Sequence, residues 1–249
     1  MKRLYVLYVM LFCSVAIAHN INWHDGEQII ETTTCDSGES ITPPSAPNKY
    51  GYHFVKWTDI IPIEYIECTG TQYIDPDVTV GGNTRWELDS QLTNISRQNI
   101  FGSGGSTTPG LMSLRAGSSY SKFQFNRRNR VDRPGNLPVD KNRHLFVNDV
   151  YNGTVRIDSH EIYNLPAFSG TEYKIFICAY NSLGSANLSI GWLGRYYGLK
   201  IYSKDVLTHD FIPVLDKNGT PCMYDKITDT FFYNIGTGDF IAGPALWRK

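Results

Sequence analysis

The strongest constraint on what this chain can fold into is an alternation of period two. Trp86-Glu87-Leu88-Asp89-Ser90-Gln91-Leu92 sets apolar against polar residues, and Lys122-Phe123-Gln124-Phe125-Asn126 repeats the pattern. Successive side chains of an extended strand point to opposite faces, so each segment predicts a strand with one face on a core and one toward solvent. Phe146 to Tyr151 and Thr154 to Asp158 flank Asn152-Gly153, a pair that predicts a two-residue hairpin. Further strands are predicted over Tyr173 to Tyr180, Leu199 to Tyr202, Phe211 to Val214 and Thr230 to Tyr233, with glycine- and asparagine-rich turns between them. No dozen-residue stretch carries a 3.6-residue amphipathic repeat. Many short strands without helices predict an all-β fold, a two-sheet sandwich or jelly roll.

Composition fits that class: 16 tyrosines, 22 glycines and only 19% charged residues. A net charge of −1 offers no basic surface to displace the counterions of a nucleic acid. At the N-terminus, Met1-Lys2-Arg3 precedes an uncharged run from Leu4 to Ala18 that ends in Ala16-Ile17-Ala18. A positive start, an apolar stretch and a small-x-small ending predict a cleavable signal peptide over residues 1–18, hence a secreted or cell-surface protein. The run is shorter than the ~20 residues a membrane helix needs, so no membrane span is expected after cleavage.

Beyond residue 18 the cysteines are Cys35, Cys68, Cys178 and Cys222. In an oxidising compartment they permit two disulfides with three connectivities, and the absence of a C-x-x-C pair argues against zinc. Cys178 lies in the apolar stretch Ile175-Phe176-Ile177-Cys178-Ala179, where a bridge and a buried thiol are both reasonable.

Residues 19–59 read as a separate small β module. Ile29-Ile30-Glu31-Thr32-Thr33-Thr34 favours an extended chain, whereas Pro43-Pro44 and Pro47 suit no central strand. Asp25-Gly26, Gly38 to Pro44, Pro47 and Gly51-Tyr52-His53-Phe54-Val55-Lys56-Trp57 together resemble one internalin-type B repeat, with Lys56 in place of the usual glycine. The resemblance implies a bacterial surface protein.

Residues 61–245 resemble the concanavalin A-like, laminin-G-like jelly rolls of bacterial type. The opening is Tyr65-Ile66-Glu67-Cys68-Thr69-Gly70-Thr71-Gln72-Tyr73-Ile74-Asp75. The closing phrases are Gly198 to Tyr202, Asp210-Phe211-Ile212-Pro213-Val214, Met223-Tyr224-Asp225, Thr230 to Asn234 and Gly236 to Phe240. Two departures from the family pattern are cysteines, Cys68 and Cys222, both in segments that close the domain. On that resemblance a Cys68–Cys222 bridge is the favoured pairing.

Glu87-Leu88-Asp89-Ser90-Gln91 resembles the E-x-D-x-E strand of glycoside hydrolases on this sandwich, where two carboxylates flank the glycosidic bond. Gln91 stands at the third position and cannot act as a general acid, so a polar solvent face is the expected reading and no catalytic residue is assigned. H-E-x-x-H, G-x-S-x-G and phosphate-binding loops are absent, and Gly102-Ser103-Gly104-Gly105-Ser106 reads as a flexible turn. His160-Glu161 would point to opposite faces of a strand and predicts no metal site. Asp75-Pro76-Asp77 offers two carboxylates to calcium, which the resemblance makes conceivable, but turn formation accounts for the same residues. Arg127-Arg128-Asn129-Arg130-Val131-Asp132-Arg133, with Lys141 and Arg143 after it, reads as a solvated loop or a contact for an anionic glycan. Trp192, Tyr196 and Tyr197 read as sandwich core or as a platform for sugar rings. Asn94, Asn152, Asn187 and Asn218 begin N-x-S/T triplets, and no glycosylation is expected on a bacterial-type protein. The expected function is an exported, non-enzymatic binding or adhesion protein for a carbohydrate or surface protein. Its alternatives are a glycoside hydrolase using Glu87 and Asp89, and a structural part of an envelope or fibre.

Overall fold

Alternation in the sequence becomes the pleat of the Thr84–Leu92 strand in the computed structural model. Thr84, Trp86, Leu88, Ser90 and Leu92 are buried, while Arg85, Glu87, Asp89 and Gln91 turn outward. The structure describes residues 60–246 except 97, 105–111, 118–119, 128–129, 166 and 168–169, together with 2–4, 19–25, 28–35, 42–45 and 52–54.

Thr84–Leu92 is central to the larger sheet. Its path runs His160–Ile162, Thr154–Ile157, Arg143–Asp149, Thr84–Leu92, Leu193–Ser203, Val206–Leu215, Pro221–Asp225, Thr230–Phe232, each antiparallel to the next. One edge of Leu193–Ser203 is shared: Ile66–Thr69 pairs with its first half and Val206–Leu215 with its second. Ile241–Ala242 pairs in turn with Ile66–Thr69, so the opening and closing phrases of the sequence meet in one sheet. The smaller sheet runs Arg130–Asp132, Tyr120–Arg127, Met112–Gly117, Gln98–Ser103, Tyr180–Ser182, Ser185–Asn187, and Phe176–Ile177 also pairs with Gln98–Ser103.

The core lies between the two sheets. Trp86, Leu88, Phe146, Leu199 and Phe211 come from the larger sheet, and Phe101, Leu114, Phe123 and Phe125 from the smaller. The Trp86 ring sits 4.9 Å from Phe101 and 5.7 Å from Phe125, centroid to centroid. Each large apolar side chain removed from water this way contributes roughly 1.5–3 kcal/mol. Among the described residues the only helical turns are Pro134–Asn136 and Leu188–Ile190, three residues each. The fold is an all-β, two-sheet jelly-roll sandwich. No helix among the described residues is long and apolar enough to cross a membrane.

Several expectations change in detail. The Asn152-Gly153 hairpin is not a two-residue turn, because Asp149 pairs with Thr154 and leaves four residues between the strands. Asp149 organises that loop: its carboxylate accepts from the Asn152 backbone N–H and from Asn152 Nδ2, both at 2.8 Å. Tyr173 to Tyr180 is not one strand. Cys178 takes a φ of 66°, which breaks the extended chain between Phe176–Ile177 and Tyr180–Ser182. Gly102 and Ser103 complete a strand and do not begin a turn.

The favoured Cys68–Cys222 bridge is wrong. Cys68 joins Cys178, with Cα atoms 6.3 Å apart. Cys68 and Cys178 face the core between the sheets, whereas Cys222 lies on the opposite side of the larger sheet with Ile60, Val214 and Tyr224. The sheet itself separates Cys222 from Cys68. Burial pushes the Cys222 thiol up to about 12, so it stays protonated.

Before residue 60, His19–Asp25 and Gln28–Cys35 pair as antiparallel strands. Trp23 is buried and donates Nε1–H to Thr33 Oγ1 at 2.8 Å. Lys2–Leu4 pairs in parallel with Tyr52–Phe54. Residues 5–18 of the expected signal peptide, and most of the B-repeat phrases after Cys35, lie outside the described residues.

Candidate functional site

The outward face of Thr84–Leu92 holds the residues that the sequence singled out, and their polar groups are engaged with one another. Arg143 donates Nε–H and an Nη2 hydrogen to the two oxygens of Asp89, each at 2.7 Å, a bidentate pair across neighbouring strands. The guanidinium also lies 3.8 Å from the Tyr197 ring centroid. Tyr197 donates its hydroxyl to Gln91 Oε1 at 2.6 Å. Glu87 is approached by Arg85 at 3.4 Å and by the Tyr202 hydroxyl at 3.4 Å, and Arg85 stacks 3.9 Å over Tyr202. Arg195 pairs with Glu67 at 2.7 Å and lies 4.4 Å over Tyr65. Glu87, Asp89 and Gln91 do share a face, as the spacing predicts. They are members of a Tyr–Arg–carboxylate ladder, and both Asp89 oxygens are held by arginine.

Other candidates are similarly engaged. Lys174 Nζ sits 2.7 Å from Asp77 and 3.7 Å from Asp75, so an ammonium already neutralises the carboxylates considered for calcium. No group of three His, Cys, Asp or Glu among the described residues is arranged to hold a metal ion. His160 and Glu161 are both exposed on a short strand. The arginine run is not a solvated loop. It forms a hairpin of Tyr120–Arg127 and Arg130–Asp132, in which Arg127 and Asp132 are buried. Trp192 and Tyr196 are fully buried core residues, while Tyr197 alone of that trio faces outward. Asp225, in the closing Met223-Tyr224-Asp225 phrase, is a structural anchor. Burial works against its charge, but hydrogen bonds from His209, the Asp210 N–H, Thr228 and the Ile227 N–H hold its pKa below the ordinary carboxylate value.

The outward face of the smaller sheet is different. Phe101, Leu114, Phe123 and Phe125 point into the core, so their strand neighbours point away from it. Arg115 stands directly between Asn99 on one flanking strand and Gln124 on the other, with Asn126 next along that strand on the same face. Asn99, Gln124 and Asn126 are 1%, 2% and 6% exposed. Arg115 is half-buried and is the member of the row that reaches solvent. Asn99 Nδ2, Arg115 Nε and Asn126 Nδ2 are shut off from solvent and have no hydrogen-bond partner. The Arg115 guanidinium lies 5.8 Å from the Tyr180 ring, and Tyr180 donates its hydroxyl to the Gly104 carbonyl. Burial pushes the Tyr180 hydroxyl up to about 12 against the opposing pull of Arg115, so this tyrosine is neutral.

A buried polar atom without a partner costs about 1–3 kcal/mol, and native folds keep few of them. Ser90, Asn148 and Trp192 also carry such atoms, but they face the core. On the outward side of the smaller sheet, Asn99, Arg115 and Asn126 carry such atoms. Sequence reasoning read Gln124 and Asn126 as solvent-facing and did not single out Asn99, Arg115 or Tyr180. The alternation over Lys122 to Asn126 marks the face of Gln124 and Asn126 alone. Which strands stand beside them, and hence what they lack, is not written in any local pattern.

No family model matches the chain, and no curated protein matches it. Among solved structures it is similar to the native heptameric SAP-like pentraxin from Limulus polyphemus. That match has a TM-score of 0.43 and 11% sequence identity, and covers 76% of this chain and 95% of that one.

Proposed function

We propose that this chain is an exported, non-enzymatic binding protein whose ligand is a carbohydrate held against the outward face of the smaller sheet. The observation that carries this reading is the half-buried Arg115, which stands on that face between Asn99 and Gln124. A guanidinium that reaches solvent presents N–H donors to a ligand rich in acceptors. Sugars offer such acceptors at close spacing. On the larger sheet Asp89 is clamped and Glu87 is engaged, and Gln91 stands where a hydrolase needs an acid. That arrangement supports binding without hydrolysis. Export rests on the Met1-Lys2-Arg3 start, the uncharged run and Ala16-Ile17-Ala18.

A glycan array probed with the purified protein tests the binding reading. Binding to a defined sugar class is expected, and Arg115→Ala is expected to abolish it while the protein stays folded. A signal that survives the substitution would place the ligand elsewhere and overturn the assignment of this face. Export is tested by N-terminal sequencing of protein from the culture medium, where His19 is the expected first residue.

A further inference from the structure

Asparagine followed by glycine is a labile pair, because no Cβ shields the glycine nitrogen from the carbonyl carbon of the asparagine side chain. The chain has two such pairs, each followed by threonine: Asn152-Gly153-Thr154 and Asn218-Gly219-Thr220. Both join antiparallel strands of the larger sheet, the first between Arg143–Asp149 and Thr154–Ile157, the second between Val206–Leu215 and Pro221–Asp225. Both asparagines are exposed. Each donates its backbone N–H at 2.8 Å to the carboxylate of a preceding aspartate, Asp149 or Asp216. The glycines differ. Gly219 N–H donates to the Asp216 carbonyl at 2.9 Å, and Thr220 N–H donates to the Asp216 carboxylate at 2.8 Å. Gly153 N–H donates to no backbone carbonyl among the described residues. Its loop is held at other atoms: Asn152 Nδ2 donates to Asp149, and the Gly153 carbonyl accepts from Leu165 N–H, both at 2.8 Å.

We infer that Asn152 is a site of spontaneous modification, deamidating through a cyclic imide, whereas Asn218 in the same tripeptide is protected by its turn. The Gly153 nitrogen gives its proton to hydroxide and attacks Asn152 Cγ, forming a new C–N bond. The Cγ–Nδ2 bond then breaks, and Nδ2 takes a proton from water and leaves as ammonia. Water opens the five-membered ring at either carbonyl, leaving aspartate or isoaspartate. Water is the only co-reactant, and Asn152 is open to it. At Asn218 the same attack must wait until the Gly219 N–H leaves the Asp216 carbonyl, since an amide held in a native hydrogen bond reacts only when the bond opens. Modification of Asn152 removes the Nδ2 donor and sets a second carboxylate beside Asp149, where like charges repel. Isoaspartate also adds a backbone carbon to the loop between the two strands.

The experiment is incubation of the full-length protein at pH 9, folded and in urea, with peptide mass spectrometry of samples taken over time. Deamidation of the folded protein is expected at Asn152, faster than at Asn218 by about fivefold or more, the effect of one hydrogen bond. In urea, where both loops are open, the two rates should converge. Hydroxylamine, which cleaves the cyclic imide, should cut the folded chain between residues 152 and 153, and Asn152→Gln should abolish that cut. Equal rates in the folded protein, or faster reaction at Asn218, would overturn the inference. So would an Asn152 that reacts in urea and stays intact when folded. A preference for Asn152 that persisted unchanged in urea would assign it to the preceding Tyr151 and Lys217, and the protective role of the Asp216 turn would fall.

Discussion

The two outward faces of this sandwich are built from the same kinds of residue and end in opposite states. On the larger sheet, arginines, tyrosines and carboxylates alternate across adjacent strands, and Arg85, Arg143 and Arg195 each find both a ring and an anion. On the smaller sheet, an arginine and a tyrosine recur, but amides stand where the carboxylates would be. A face that satisfies itself contributes to the fold and has little left for a ligand. The other face carries unmet hydrogen bonds and an uncompensated charge, and it stays folded because the apolar core on its far side outweighs them. Polar residues on a strand therefore say little about function until their cross-strand neighbours are known.

The largest expected effect comes from breaking the link between the two sheets. Cys68 lies on a strand of the larger sheet, and Cys178 directly follows one that pairs with the smaller sheet. Their bridge closes a loop of 110 residues. Cys68→Ser with Cys178→Ser should cost about 2–5 kcal/mol. Urea unfolding of the variant, and of the native protein with and without reductant, measures it. An unchanged midpoint would mean the bridge does not constrain the sandwich.

Next is a gain in stability, which tests the contrast between the faces directly. Asn99→Leu and Asn126→Leu each remove a buried donor that has no partner, so the unfolding free energy should hold or rise, by about 1–3 kcal/mol at most. The same kind of change at Asp89, which strands Arg143, should lower it. If the asparagine variants were destabilised by several kcal/mol, their amides would be making hydrogen bonds that the fold needs.

A smaller, pH-dependent effect comes from His144, whose side chain is 10% exposed. Burial pushes its pKa down, but hydrogen bonds to Asp158 at 2.6 Å and Asp140 at 2.9 Å outweigh that and hold it above the ordinary value. The remaining packing around the ring is aromatic, from Phe123 and Phe146. A raised folded-state pKa means that the contribution is complete below the unfolded value near 6.5 and is lost as pH rises through the folded one. Because both carboxylates are partly exposed, it should be on the order of 1 kcal/mol or less. Unfolding midpoints at pH 6 and pH 9 should therefore differ more for the native protein than for His144→Gln, and equal differences would remove His144 as the cause.

Much of the fold is legible in the sequence because one physical rule produces it. The period-two pattern over Trp86 to Leu92 specifies which side chains enter the core, and the strand closes just where that pattern ends. The Cys68–Cys178 bridge is not legible in the same way. It depends on which side of the sheet Cys222 occupies, and Val214, Cys222 and Tyr224 form a second apolar cluster that no local periodicity distinguishes from the main core. The break at Cys178 is hidden for a similar reason. A run of β-branched and aromatic residues reads as one strand, while the observed turn is imposed by where its two halves dock. The candidate site is the least legible of all, since Asn99, Arg115 and Gln124 come from three strands and their significance lies in partners they do not have.

The smallest expected effect is the sharpest measure of the contrast. Arg143 and Asp89 are 49% and 33% exposed, so water and salt screen their attraction, and the pair should contribute only about 0.2–1 kcal/mol despite its bidentate geometry. A double-mutant cycle with Arg143→Ala and Asp89→Ala isolates that coupling from the packing of Arg143 on Tyr197. Cycles built the same way on Arg115 with Asn99, and on Arg115 with Gln124, should return no charge coupling, because neither neighbour is ionised. Adding a glycan identified on the array should leave the Arg143 cycle unchanged. A ligand-dependent change in the Arg143–Asp89 coupling instead would move the binding face to the larger sheet, where every arginine stack already has its carboxylate.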